Sequence, residues 1–311
     1  MPSTSYPYGP GAPAPSSNEP GVVTLDSYLK DPLIIQKSIE NVPNQFMLGE
    51  TLLRPVTSVT GVVGSSQLTE LDLYIDANTN LQPQEIDDGD EFPAVSFNEP
   101  NLKYEETKLV GAYYTLTDRQ IRRDRRDLAR TYNRRVANKI RLIHNNKVLS
   151  RLYNDPYIVA NRSAPAGLLW TNASSDPLSD ISLAINQIDN KNDLGYRSDI
   201  AIIHPDAYDE LQQNAKVREL SGRDNKGINP LFNKDLSGLK GLNWIIHNQA
   251  DRNTLLVLQS GVVGDLVTEI PPFTMVIPQP ERLRQRIQSG RAELPVITEP
   301  IAAFKITGIL S

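Results

Sequence analysis

The sequence predicts an α+β fold organised around one long helix. Three observations carry this. Residues 117–152 contain neither glycine nor proline, a run about three times the length of an average globular helix. The stretch before it, from Val56 to about Val110, reads as β-strands. The stretch after it alternates amphipathic helices with apolar strands and closes in a run of strands.

The chain begins with MPSTSYPYGPGAPAPSSNEP, which holds six prolines, two glycines, four serines and one charge. Such a segment has too little apolar surface to offset its own ordering entropy. It is expected to gain order only against another subunit. Residues 25–53 are mixed, with a short apolar-periodic piece at Leu33, Ile34, Ile35 and Ile39.

Strands follow in TSVTGVVG, LTELDLYI, FPAVSF and KLVGAYYTL, each β-branched or alternating. Between Pro55 and Leu102 there are nine acidic residues and no lysine or arginine. A two-stranded excursion is marginal alone in water, and one this acidic suits a basic partner. Glu70, Asp72, Asp76, Glu85, Asp87, Asp88, Asp90 and Glu91 are therefore candidate subunit-interface residues.

Thr117 can cap the long helix, and Gln120, three residues on, completes a capping box. Its apolar stripe is read as Ile121, Leu128, Tyr132, Val136, Ile140 and Ile143. Unbroken to Leu152, the helix would span about 54 Å. It carries twelve arginines and lysines against three aspartates, in a chain whose formal net charge is −5. Arg119, Arg122, Arg123, Arg125, Arg126, Arg130, Arg134 and Arg135 are candidates for a subunit-interface or DNA-facing surface. Such a run has three readings: a solvated face, a sequence-blind phosphate surface, or a docking face for a neighbour's acidic hairpin. The near-equal and opposite charges of helix and hairpin favour the last.

Beyond the helix, DPLSDISLAINQID places Pro177 at a first helical position, and PDAYDELQQNAKVREL starts a second helix at Pro205. SDIAIIHP, SGLKGLNWIIHN, TLLVLQ, GDLVTEI and FTMVI read as strands. RLRQRIQSGRAELPVITEPIAAFKITGI supplies further strands with a basic, alternating start.

Candidate chemistry is sparse. There are no cysteines, and His144, His204 and His247 lack the spacing of a zinc motif. No P-loop, dinucleotide-binding or nucleophile-elbow motif occurs. DANTNLQPQEID has Asp76, Asn78 and Asn80 at the first ligand positions of a calcium loop. However, Leu81 replaces the required glycine and Asp87 the final glutamate, so a polar hairpin tip is the better reading. No catalytic residue, metal or cofactor is expected. No apolar run of about 18 residues is present to cross a membrane, and the start lacks the basic and apolar regions of a secretory signal.

This order of parts resembles the major capsid proteins of tailed phages with the Hong Kong 97-type fold. GDEFPAVSF at 89–97 is similar to that family's exit from its extended hairpin, the E-loop. KLVGAYYTLTDRQI at 108–121 is similar to the strand and cap that lead into its spine helix. SDIAIIHPDAYDEL at 198–211 and LKGLNWIIHN at 239–248 resemble elements of its axial (A) domain, and TEPIAAFKITGI at 298–309 its closing strand. The resemblance covers nearly the whole chain. It implies an N-terminal arm over 1–52, the E-loop hairpin and approach to the peripheral (P) domain over 53–110, and the P-domain with its spine helix over 111–165. The A-domain would take 166–278 and the returning P-domain strands 279–311.

Two departures from the family pattern carry expectations of their own. Only some fifty residues precede the hairpin, so a separate scaffolding protein, or none, is implied, without maturation cleavage. No lysine lies between 55 and 102, so the isopeptide cross-link of some members is not expected. The resemblance thus implies a non-enzymatic virion protein, assembled in the host cytoplasm into hexamers and pentamers of an icosahedral shell around double-stranded DNA. Its partners would be copies of itself, a scaffolding protein, a portal, possibly a cement protein, and DNA bound non-specifically, with no membrane. The alternatives are an encapsulin-like nanocompartment and a soluble nucleic-acid-binding protein using the Arg119–Arg151 helix.

Overall fold

A computed structural model describes residues 47–65, 67, 103–123, 126–189, 195–218 and 239–310. Residues 1–46 of the expected 1–52 arm, the strands expected in LTELDLYI and FPAVSF, the DANTNLQPQEID tip and Arg125 lie outside the described residues. The fold mixes helix and sheet, and the chain forms two compact units. Among the described residues, the smaller holds Gly111–Ile140 and Pro272–Arg291, and the larger the remainder.

In chain order the elements are α1 (Leu48–Leu52), β1 (Arg54–Thr57), β2 (Val62–Ser65), β3 (Lys103–Glu106), β4 (Lys108–Thr117), α2 (Asp118–Arg122) and α3 (Arg126–Tyr153). Then come α4 (Pro156–Asn161), β5 (Ser163–Pro165), α5 (Pro177–Asp189), β6 (Ile200–Ile203), α6 (Pro205–Gln213) and β7 (Asn243–Ile246). The chain closes with β8 (Thr254–Leu258), β9 (Gly264–Gln279), β10 (Arg284–Ile297) and β11 (Ala303–Thr307). One sheet has the order β1-β9-β10-β4, a second the order β5-β11-β8-β6-β7, and β2 and β3 form a two-stranded ladder.

The larger unit is built on the five-stranded sheet. Its central strands are apolar without alternation because both faces are covered. Ile200, Ala201, Ile202 and Ile203 of β6 and Leu255 to Leu258 of β8 are all buried. Helix α5 buries Ile181, Ala184 and Ile188 at helical spacing and packs against β8 and β11. The helix starts follow local chemistry. Asp155 Oδ1 accepts from the backbone N–H groups of Tyr157 and Ile158, and the His204 ring accepts from Asp206 N–H. Proline sits at the first position of α4, α5 and α6. Arg162 is 1 % exposed, and its guanidinium donates to the carbonyls of Ile301 (2.7 Å), Gln187 (2.9 Å) and Ala303 (3.3 Å).

The smaller unit has its own core of Leu116, Ala129 and Ile287, with Tyr114, Ile121, Leu128, Tyr132 and Val276 packed on it. The Tyr114 hydroxyl donates to Asn133 Oδ1 at 2.6 Å, and its ring lies 5.5 Å from that of Tyr132. At Gly111 a Cβ would stand 2.9 Å from the carbonyl oxygen of Ser289, so a side chain there would prise two chain segments apart.

Three expectations need correction. The long helix is not one 36-residue rod. The capping box forms as expected, with Gln120 N–H donating to Thr117 Oγ1 and Thr117 N–H to Gln120 Oε1. However, α2 ends at Arg122, and Arg123 has ψ 6°, outside the helical well. Helix α3 then spans 28 residues, about 42 Å. No glycine or proline marks this break. Arg119, Arg122 and Arg123 stack like charges at i+3 and i+4, which weakens a helix. Second, the apolar stripe does not continue to Ile143, which is exposed; from His144 onward the buried positions are His144, Asn145, Val148, Leu149, Leu152 and Tyr153. Third, GDLVTEI and FTMVI are a single strand, β9, which passes through Pro271 and Pro272.

Candidate assembly interface

The basic surface of the smaller unit follows from helix geometry. Ala129, Asn133, Val136, Ala137 and Ile140 are buried and mark the inner face of α3. Arg119, Arg122 and Arg123 around α2, and Arg130, Arg134, Arg135 and Lys139 on α3, are all exposed. None of these seven forms an ion pair with a described residue. On α3 they fall into two rows. Arg130 and Arg134 form one, Arg135 and Lys139 the other, about 140° apart at 100° per residue. Between them, diametrically outward from the buried face, lies a ridge that includes Thr131 and Asn138. Arg126 opens α3. The eight acidic candidates, Glu70, Asp72, Asp76, Glu85, Asp87, Asp88, Asp90 and Glu91, lie outside the described residues.

The larger unit holds the root from which that acidic segment leaves and returns. Strands β2 and β3 pair antiparallel from Val62↔Glu106 to Ser65↔Lys103. Gly61, at φ 67°, makes the turn that a side-chain-bearing residue resists. Its carbonyl accepts from Thr107 N–H at 2.9 Å. Three side-chain ties hold the root. Arg151 of α3 pairs with Glu105 of β3, Thr107 donates to Glu269 of β9, and Gln67 donates to Asp155 Oδ2 at 2.6 Å. Asp155 thus caps α4 with one oxygen and holds the root with the other. Tyr104 on β3 remains 71 % exposed.

Beside this root lies a groove of about 780 Å³, lined by β3, the last turns of α3 and the end of β10. Lys147 projects into it and donates to the backbone carbonyl of Glu293. Burial lowers the Lys147 pKa, and the nearby cations Lys108 and Arg151 lower it further, against Glu105. These root residues have no sequence signature. Glu105 is 46 positions from Arg151, and Gln67 is 88 from Asp155. Glu105 also lies just beyond the acidic stretch between Pro55 and Leu102.

The histidines take structural places. His144 Nδ1 lies 2.8 Å from Glu293 Oε2, both nearly fully buried at 6 % and 4 % exposure. Asn145 Oδ1 accepts from Leu48 N–H at the start of α1, and its Nδ2 lies 3.2 Å from His247 Nε2. Among the described residues no three His, Cys, Asp or Glu side chains gather as metal ligands. No described helix is long and apolar enough to cross a membrane.

Comparison with known proteins gives a consistent answer. A family model described as phage capsid protein matches residues 101–306. Among solved structures, a phage-related protein from Bordetella bronchiseptica RB50 superposes with a TM-score of 0.63 at 12% identity, covering 90% of this chain and 97% of its own. The capsid of cyanophage P-SCSP1u gives 0.59 at 12%, covering 86% and 89%. The SrpI encapsulin complex from Synechococcus elongatus PCC 7942 gives 0.52 at 12%, covering 87% and 89%. No curated protein matches by sequence.

Proposed function

The chain belongs to the phage capsid protein family and is a major capsid protein of the Hong Kong 97-type fold; we propose that its copies close, as hexamers and pentamers, into an icosahedral shell around the double-stranded DNA of a tailed phage. The observation that carries this reading is the family match over 101–306, which takes in the long helix, nearly all of the five-stranded sheet and three strands of the four-stranded one. The role is structural and non-enzymatic. Each subunit would meet others through its 1–52 arm, its acidic hairpin and its P-domain, while the A-domain over 166–278 meets its counterparts around the five-fold and six-fold axes. Assembly in the host cytoplasm would use a separate scaffolding protein and a portal, and packaged DNA would be held without sequence preference. Because contacts repeat across the shell, modest energies at each suffice.

The encapsulin likeness supports a second reading, a nanocompartment around a protein cargo. Nuclease treatment of purified particles separates the two. The capsid reading predicts protected, genome-length DNA inside. Uniform small shells that hold protein and no nucleic acid would establish the nanocompartment instead.

A further inference from the structure

We propose that Asn145 and His247 form an acid-sensitive latch on α1, the element through which residues 1–46 join the fold, and that the latch opens when the His247 ring takes up a second proton. The device goes beyond the shell reading and does not depend on it, because every part lies within the larger unit of one chain.

Helix α1 has five residues, far too few to persist alone in water. Its place is set from outside. Leu48 and Leu52 are fully buried, and the Leu52 carbonyl accepts from Gly261 N–H at 3.0 Å. Two consecutive residues of α3 hold its first turn. The His144 ring lies so close to Gly49 that a Cβ there would stand 2.6 Å from Nε2. Asn145, 1 % exposed, accepts the Leu48 N–H on Oδ1 at 3.0 Å. That N–H is a first-turn donor with no carbonyl of its own helix in reach.

His247 in turn fixes Asn145. The bond from Leu48 uses Oδ1, so it is the donor Nδ2 that meets His247 Nε2, at 3.2 Å. On the other side of the ring, Gln249 N–H points at Nδ1, also at 3.2 Å. Both ring nitrogens therefore face donors. A neutral imidazole keeps one acceptor for them and an imidazolium keeps none. Whichever nitrogen carries the first proton, the second sets N–H against N–H on both sides.

The charges around the ring act in the same sense. Arg141, one turn before Asn145 on α3, bears on it as a cation. The acidic groups nearby in the chain or fold are engaged elsewhere. Glu293 lies 2.8 Å from His144 Nδ1. Asp206, beside the His204 that follows β6, pairs with Arg252 at 2.8 Å. Burial and Arg141 both lower the His247 pKa from 6.5, so the latch is closed above that pH and opens as pH falls below it. Opening frees Asn145, leaves the Leu48 N–H without its acceptor and loosens α1 locally, while β6 and β8 stay formed.

Hydrogen exchange on the full-length, unassembled chain tests the latch. Leu53 N–H bonds to the Gly49 carbonyl, so it reports on α1 together with Leu48. Protection of these two amides, corrected for intrinsic exchange, should fall roughly tenfold or more between about pH 7.5 and pH 5. Amides of Ile200–Ile203 and Leu255–Leu258 should change by less than about twofold. His247→Gln offers Asn145 a carbonyl oxygen that does not titrate, so α1 protection should then stay constant within about twofold. A second reading needs no variant: the His247 Cε1–H resonance of wild type should titrate with the midpoint at which α1 opens. The latch is overturned if α1 protection is independent of pH, or if β6 and β8 lose protection in parallel, which would be global unfolding. It is equally overturned if His247→Gln keeps the wild-type pH dependence or the two midpoints differ, which would assign the effect to the His144–Glu293 pair.

Discussion

Arg151, near the C-terminal end of the long helix, forms an ion pair with Glu105 on the returning strand of the hairpin root. The pair joins elements 46 residues apart and sits at the point where the acidic segment rejoins the fold. Both side chains are partly exposed, so the pair contributes little to global stability. Its role is to direct the root. Arg151→Ala should lower the unfolding free energy of unassembled protein by no more than about 1 kcal/mol. Amide hydrogen exchange should nevertheless accelerate in Val62–Ser65 and Lys103–Glu106, with β6 and β8 unaffected. Unchanged protection in both root strands would show that the ion pair does not hold them.

Arg162 presents the opposite case. It is fully buried, and its guanidinium satisfies three backbone carbonyls while lying 5.6 Å from the Phe304 ring centroid. Arg162→Met keeps much of the volume but strands those carbonyls. The expected loss is about 3 kcal/mol in denaturant unfolding. A loss below about 1 kcal/mol would mean that water or a shifted backbone takes over the hydrogen bonds.

At the start of α2 the capping box satisfies donors that would otherwise lack partners. Thr117→Ala should cost about 1 kcal/mol, whereas Thr117→Ser should cost little because the hydroxyl is retained. Thermal melts of the two variants, measured side by side, check the difference.

His247 contributes to the pH dependence of stability near neutral pH. Burial lowers the His247 pKa below its ordinary 6.5, and the nearby Arg141 cation lowers it further. As pH falls below 6.5 the unfolded chain takes up this proton before the folded one, so stability decreases there and is fully present above it. His247→Gln removes that component. Its melting temperature should fall less steeply than that of wild type between about pH 7 and pH 5. Identical slopes would assign the acid sensitivity to other groups.

The absence of lysine from residues 55–102 predicts a shell held without covalent cross-links through the hairpin. Particles boiled in detergent should run as a single monomer band. A ladder of covalent oligomers would show another linkage.

Much of this fold was legible because its signals are local. Thr117 and Gln120 announce a capping box in four residues, and Ile200–Ile203 and Thr254–Leu258 read as buried strands from composition alone. What escaped depends on non-local or opposing terms. Arg123 is a good helix former by propensity, and the break there becomes visible only when like charges one turn apart are weighed. Pro271 and Pro272 signal a strand end, yet β9 continues through them. The positions of the basic residues were plain in the sequence, but their division into two rows required knowing which face of α3 is buried. The root ties of Arg151, Gln67 and Thr107 join residues with no shared periodicity, so only the folded chain brings them together.

The central claim is that this chain builds a closed phage shell. A cryo-electron microscopy reconstruction of particles purified from cells producing the full-length protein tests it most directly. Icosahedral shells of hexamers and pentamers are the expected result. Protein that remains monomeric or dimeric, binding nucleic acid with an affinity that falls steeply with salt, would contradict it.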